Sequence, residues 1–323
     1  MAMKLCRWLH SYQLPIIMIQ LFSESVISFY GLPVAQAASS EVLAPFNVWQ
    51  AIVVGIVQGL TEFLPISSTA HVKIVPVALG WGDPGVGFTA VVQLGSIGAI
   101  LGYFWDDVRQ VTAGMVQAVS KGHYQSNEFR IGLGILLGTV PIVVLGLLVK
   151  LFFAEQYDLF GRSSLTIAIT SIGLALLLGL AELVGRRQRG YEAVGLWDGI
   201  GMGFAQALAL IPGVSRSGST ITAGLFMGLD RPTAARFSLL MGIPAILISG
   251  LVEAKDLLDV EAGDIGLLAI AAGVIASAIS SYLAIYWLIR FLRDHTTWVF
   301  VFYRIGFGLV ILWAIATQRM PNI

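Results

Sequence analysis

Nine apolar stretches follow one another along this chain, at about residues 46–65, 87–105, 131–153, 164–184, 198–212, 217–229, 233–252, 265–289 and 297–317. Several approach the ~20 residues that an α-helix needs to cross the hydrocarbon of a bilayer. In that medium every backbone N–H and C=O must be satisfied internally, so runs of this length commit the chain to helices. Composition agrees. Apolar residues are 57% and charged residues 12%, with mean hydropathy +0.83, where soluble proteins carry about 45–50% apolar residues. The expected fold class is an all-α polytopic membrane protein.

Charge and cysteine usage exclude other classes. Lys plus Arg and Asp plus Glu are both 19, so no net field points to nucleic acid. The single Cys6 rules out an internal disulfide framework and a Cys-based metal site. His10, His71, His123 and His295 show no metal-ligand spacing, and of these only His71 sits in a polar cluster at membrane depth.

The first forty residues form a segment of their own, ahead of a membrane domain at 41–323. Lys4 and Arg7 precede an apolar run from Leu14 to Phe22, and Ala35-Gln36-Ala37 has the small-residue pattern of a cleavage site. Glu24 interrupts the run, so a cleaved signal peptide and a retained first helix both fit.

Two apolar stretches break at their most polar points. The first break is Gln58-Gly-Leu-Thr-Glu62-Phe-Leu-Pro65-Ile-Ser67-Ser68-Thr69-Ala-His71. Gln58 and Glu62 are four apart and share a helix face. Pro65 then stops the helix, because it lacks an N–H and disfavours helical geometry at Leu64. Ser67, Ser68 and Thr69 can cap a second helix, whose free N–H groups suit phosphate. Ionisable groups at membrane depth favour a functional site; a Pro-kinked helix with self-satisfied polar groups is the alternative. The second break is Pro212-Gly-Val-Ser215-Arg216-Ser217-Gly-Ser219-Thr220. Its Arg216 offers a planar fork of donors that needs an anion, either Glu62 or a phosphorylated ligand.

Loop charges set an orientation. Placing the loops of Arg109, Lys121 and Arg130, of Arg186, Arg187 and Arg189, and of Arg290 and Arg293 inside puts the acidic loop Glu253–Asp264 outside. The two breaks then enter from opposite sides and return. Sequence echoes support a repeat: Gln58-Gly-Leu with Gln206-Ala-Leu, Leu64-Pro65-Ile-Ser67-Ser68 with Ile211-Pro212-Gly-Val-Ser215-Arg216-Ser217, and Phe88 to Gly95 with Phe237 to Pro244, at offsets of about 148–149. A fourth echo, Phe129-Arg-Ile-Gly-Leu-Gly134 with Tyr303-Arg-Ile-Gly-Phe-Gly308, has an offset of 174. The expected architecture is an inverted repeat, spanning about 46–153 and 198–317, with two re-entrant broken pairs and about six transmembrane helices. A site is expected where the half-helices meet near midplane.

At these two turns the chain resembles the undecaprenyl-diphosphatase family, the bacitracin-resistance lipid pyrophosphatases. The carriers of the resemblance are Gln58-x-x-x-Glu62 running into Pro65-x-Ser67-Ser68-Thr69-x-His71, and Pro212-Gly-x-Ser215-Arg216-Ser217-x-x-Thr220. It extends from about residue 45 to the C-terminus. It implies an interdigitated inverted repeat in the bacterial inner (plasma) membrane that hydrolyses undecaprenyl diphosphate to undecaprenyl phosphate and phosphate. Such an enzyme recycles the carrier lipid of cell-wall synthesis and confers bacitracin resistance. By position, Glu62, Ser68, His71 and Arg216 are the catalytic candidates, and Gln58, Ser67, Thr69, Ser215, Ser217 and Thr220 would line the diphosphate. Gln58 stands where many members have Glu, which puts a two-carboxylate mechanism in doubt. The resemblance also implies Mg²⁺ or Ca²⁺, with Glu62 as its protein ligand. Partners implied are the polyprenyl diphosphate and the bilayer, with a homodimer among the open oligomeric states.

The chemistry leaves alternatives. Ser68 or a water is the nucleophile. His71, three residues beyond Ser68, is a candidate base, while Glu62 could orient His71, act as base or hold the cation. A rival class is a transporter that flips a polyprenyl phosphate carrier, since broken helices in inverted repeats also build transporters. Acid-phosphatase-type chemistry fits poorly, because residues 217 to 230 contain no second histidine.

Overall fold

The computed structural model describes residues 47–122, 124–153, 163–258 and 266–320. The leader-like segment 1–40 and part of the acidic loop, including Asp259, Glu261 and Asp264, lie outside these. Eleven α-helices fill the described residues: α1 (Val48–Phe63), α2 (Ser68–Ala78), α3 (Gly85–Tyr103), α4 (Trp105–Lys121), α5 (Asn127–Phe152), α6 (Ser164–Val184), α7 (Leu196–Ala207), α8 (Arg216–Phe226), α9 (Arg231–Leu258), α10 (Leu267–Asp294) and α11 (Trp298–Ala316). Five of them are long and apolar enough to cross a membrane: α5, α6, α9 over Arg231–Gly250, α10 and α11. A sixth span is reached if α3 and α4, bent by 70° at Phe104, count as one. The chain is a multi-pass, all-α membrane protein.

Local chemistry sets the ends that matter. Asn47 opens α1 with a capping box, its Oδ1 accepting from Gln50 N–H at 2.9 Å while Gln50 Oε1 accepts from Asn47 N–H at 3.0 Å. α1 stops at Phe63 because Leu64, the residue before Pro65, is extended (φ −67°, ψ 145°). The second break is less abrupt: a 3₁₀ turn, Leu208–Leu210, separates α7 from Ile211 and the Pro212-Gly213 turn. Helix α4 was not among the apolar stretches. It is amphipathic, with Asp106 and Asp107 in its first turn, Lys121 in its last, and Gly122 closing it in the left-handed conformation at φ 73°.

The two halves are threaded through each other. α1 packs along α10, and α7 packs along α5. Both contacts are main chain against main chain. A Cβ on Gly199 would lie 2.4 Å from Gly134 Cα, and one on Gly203 2.4 Å from Gly138 Cα. A Cβ on Gly55 would lie 2.3 Å from Gly273 O, and one on Gly59 2.5 Å from Ser277 O. Small residues permit this approach, the usual device of helix association in lipid. These contacts make α5 the counterpart of α10. Of the other contacts, α3 on α9 and α6 on α11 pair like with like, and α3 on α10 is matched by α9 on α5. The fourth sequence echo therefore joins non-equivalent helices, α5 and α11, which explains its deviant offset.

Away from the breaks, arginines meet carboxylates, of which Glu182 and Asp198 are buried. Glu182 accepts from Arg187 Nη1 at 2.5 Å, from Arg231, and from Thr297 Oγ1 at 2.7 Å. Asp198 takes a bidentate fork from Arg189 at 2.7 and 2.8 Å. Arg236 pairs with Asp107 and lies 4.3 Å over the Tyr191 ring. These contacts tie the loop between α6 and α7 to α6, α7 and α9, and Glu182 ties α6 to the starts of α9 and α11.

The glycine seams give a direct test. Gly203→Val places branched carbons where the Gly138 main chain stands and cannot be relieved by a rotamer, so it should destabilise the protein by about 3 kcal/mol or more. Gly102→Ala, where nothing lies within 4 Å, should leave stability unchanged or raise it by less than about 1 kcal/mol. Thermal unfolding in detergent reads both.

Candidate active site

The site forms where the two broken turns face each other. Glu62, on the last turn of α1, is its centre. Its Oε2 accepts from Ser68 Oγ at 2.6 Å and from Gln58 Nε2 at 3.0 Å. Its Oε1 pairs with Arg216 Nη2 at 3.5 Å, the loose limit of a hydrogen bond. Glu62 and Arg216 side chains are 9% and 10% exposed. Gln58 and Glu62 share a helix face as their spacing predicts, and Glu62 is one of the two partners the sequence offered Arg216.

Arg216 is incompletely satisfied. Its Nη1 is buried without a hydrogen-bond partner among the described residues. The guanidinium lies against Gly242 of α9, where an added Cβ would fall 1.6 Å from Nη1. A buried charged donor left unpaired costs more than a neutral one, for which ~1–3 kcal/mol is typical. The arrangement suits an incoming anion.

Both half-helices begin with a strained serine. Ser67 has φ 78° and ψ 101°, and Ser215 has φ 70° and ψ 119°. Such a backbone costs of order 1–3 kcal/mol for a residue with a Cβ and persists only when its surroundings enforce it. The two serines are 148 positions apart, as are Ser68 and Arg216. The hydroxyl and the cation thus occupy the same first position of α2 and α8.

What holds the turns is a residue the sequence reading used only in a repeat echo. Arg304 of α11 is fully buried. It donates from Nη1 to Pro65 O at 3.1 Å, from Nη2 to Gly213 O at 2.8 Å, and from Nε to Ser171 O at 3.1 Å. Pro65 and Gly213 are again 148 apart, so one guanidinium joins equivalent carbonyls of both breaks. Ser217 Oγ adds a second tie, donating to Leu64 O at 3.0 Å. Gly213 (φ 89°) admits no side chain, since a Cβ would meet Thr170 Oγ1 at 2.2 Å.

A profile of the BacA bacitracin resistance proteins matches residues 51–310. The chain belongs to the BacA family. It is 58% identical over 293 residues to a protein of Synechococcus sp. named undecaprenyl-diphosphatase, covering 90% of this chain and 98% of that relative. Proteins of the same name from Synechococcus elongatus and Synechocystis sp. are each 60% identical, over 86% and 83% of this chain and 96% and 82% of theirs.

Within this BacA-family site, the candidates take different places. Gln58, Glu62, Ser68 and Arg216 come together. His71 does not join Ser68. Its Nδ1 is 2.7 Å from Ser67 O and its Nε2 2.7 Å from Tyr303 Oη. The spacing of three put both residues on one helical face, but Ser68 is the first residue of α2 and its hydroxyl turns back across the break to Glu62. Ser67 contributes its carbonyl. Ser215 caps Gly218 N–H at 3.1 Å. Thr220 shares a hydrogen bond with Ser238 at 2.6 Å, in the α8–α9 packing. Thr69 is exposed. Arg304, Tyr303 and Gly242 were missed. The Tyr303-Arg304 pair, polar within an apolar run, was the signal available for the first two.

Arg304→Lys keeps a charge but can reach one or two of the three carbonyls. It should lower stability by roughly 2–4 kcal/mol, from carbonyls left buried without donors, with a matching drop in the detergent unfolding midpoint. An Arg304→Lys protein with the parent midpoint would show that the turns hold without it.

Proposed function

We propose that this protein hydrolyses undecaprenyl diphosphate to undecaprenyl phosphate and inorganic phosphate in the bacterial inner (plasma) membrane, returning the carrier lipid to cell-wall synthesis and conferring bacitracin resistance. The names of its relatives support the substrate. The observation that carries the chemistry is the Ser68 hydroxyl bonded to Glu62, beside a buried arginine with a donor to spare.

Phosphoanhydride hydrolysis depends on positioning and on neutralising charge at the transferred group. Arg216 Nη1 would take an oxygen of the terminal phosphoryl. The first-turn N–H groups of α2 and α8, apart from that of Gly218, which Ser215 caps, lack helical partners and would add dipolar stabilisation. Glu62 accepts the Ser68 proton, and Ser68 Oγ bonds to the terminal phosphorus as the bond to the bridging oxygen breaks. Undecaprenyl phosphate departs with that oxygen. Water then attacks the phosphoserine, with Glu62 mediating the proton transfer, and phosphate and Ser68 are released. If water is instead the direct nucleophile, Glu62 is its base and Ser68 a binding hydroxyl.

The donor set accommodates a divalent cation. Glu62 carboxylate, Gln58 Oε1 and Ser68 Oγ are hard oxygen donors, and Mg²⁺ is commonly held by one or two carboxylates with substrate phosphate and water. Among the described residues no cluster of three His, Cys, Asp or Glu side chains offers a fuller cage. When bound, the ion would offset charge on the diphosphate, and chelation followed by Mg²⁺ or Ca²⁺ addition should abolish and restore turnover.

Phosphate release by purified protein in detergent tests the proposal. Arg216→Lys loses the fork and should lower turnover by about 10²–10³-fold. Ser68→Ala and Glu62→Gln should each remove several orders of magnitude, with the double variant little worse than either, because groups acting as a unit lose activity non-additively. Rapid-quench trapping of phosphoserine at Ser68 separates the covalent from the direct route. Absence of phosphate release from the parent protein would overturn the proposal.

A further inference from the structure

The second turn supplies an internal control for the first. Ser215 is held in its strained conformation by its own side chain, whose hydroxyl accepts from Gly218 N–H at 3.1 Å. Ser67 has nearly the same backbone angles but makes no such cap. Each serine's carbonyl accepts from the N–H four residues on, Ser219 at 2.9 Å and His71 at 3.3 Å, but the Ser67 carbonyl also receives the His71 imidazole Nδ1 at 2.7 Å. The imidazole therefore does at the first turn what a hydroxyl does at the second. Because a carbonyl can only accept, Nδ1 must carry the proton. In a neutral ring Nε2 is then a bare acceptor, and His71 is 3% exposed. The group that meets it is the Tyr303 hydroxyl at 2.7 Å, which must be the donor. Phe307, stacked on the ring at 4.2 Å, fixes its plane.

We infer that Tyr303 is a positioning residue: the Ser67 carbonyl sets the Nδ1–H tautomer, and Tyr303, by donating to the Nε2 that this tautomer leaves bare, holds the His71 ring against that carbonyl and so aims Ser68 at Glu62. Removing the hydroxyl leaves Nε2 buried without a donor, so the ring loses its anchor, turns from the Ser67 carbonyl and releases the strained turn. Arg216 and the other groups at the substrate are untouched. The loss therefore falls on turnover rather than on binding. This role rests on the Ser68–Glu62 chemistry proposed above.

Tyr303→Phe should lower kcat roughly 10- to 100-fold, the range expected for one buried hydrogen bond that acts on the reacting geometry, with KM changed less than about twofold. His71→Asn keeps a donor near the Nδ1 position but has nothing for Tyr303 to bond. Adding Tyr303→Phe to His71→Asn should therefore change kcat less than about twofold, as expected for residues acting as one unit. Nitrogen-15 NMR of histidine-labelled protein, with the His71 signals assigned by their loss in His71→Asn, reads the tautomer without any turnover. It should show a hydrogen-bonded Nδ1–H in the parent and an Nδ1–H moved from that position in Tyr303→Phe, as the ring leaves the Ser67 carbonyl. An Nδ1–H signal that keeps the parent position in Tyr303→Phe overturns the inference, as does an equal loss of kcat from Tyr303→Phe in both backgrounds. A parent protein that releases no phosphate but shows the Nδ1–H displacement leaves the brace standing and defeats only the hydrolase assignment.

Discussion

One guanidinium bonded to three main-chain carbonyls determines the geometry on which the rest of this molecule depends. A broken helix inside a membrane leaves carbonyls without helical partners, and in hydrocarbon each must find a donor. Arg304 satisfies one at each break, Pro65 O and Gly213 O, and a third on α6, Ser171 O. Arginine suits this task because its fork presents several fixed donors in one plane. Because the two carbonyls belong to equivalent positions, the same contact sets the distance between the starts of α2 and α8. Ser68 and Arg216, the first residues of those helices, inherit it.

Duplication and divergence explain the chemistry of the pair. The two turns share a strained serine, a preceding proline and a following half-helix, yet differ where reactivity lies. Where α2 begins with a hydroxyl, α8 begins with a cation, and where α1 carries Glu62 the equivalent position, 148 residues on, is Leu210. A symmetric site would place two carboxylates or two cations face to face. The divergence leaves a hydroxyl bonded to a carboxylate on one side, an arginine on the other, and one ion pair between them.

Much of this was legible from the chain alone, for identifiable reasons. Hydrophobic runs of bilayer length announce helices, and Pro65 and Pro212 announce the breaks. Gln58, Glu62, Ser68 and Arg216 stand out because polar atoms are costly at membrane depth. The contacts of Arg304 were not legible, since its partners are carbonyls, which every residue possesses. Nor was the partner of His71. Helical spacing relates side chains within a helix, whereas Ser68 lies at a helix start and reaches backwards over an irregular turn. Gly242 is silent in sequence, because its contribution is the space its missing side chain leaves for Arg216. α4 was hidden by its polarity, which marks it as a helix by periodicity rather than by hydropathy.

The glycine seams bear on how such a molecule can move. Each half is clasped by a helix of the other, with Gly55 and Gly59 of α1 set into α10 and Gly199 and Gly203 of α7 set into α5. A carrier that alternates between two openings must let its halves rock, and rocking here would prise apart main chains already in direct contact. A truss cross-braced at both ends resists that deformation. Whatever adjustment accompanies turnover then falls to side chains such as Arg216 and not to a tilt of the halves.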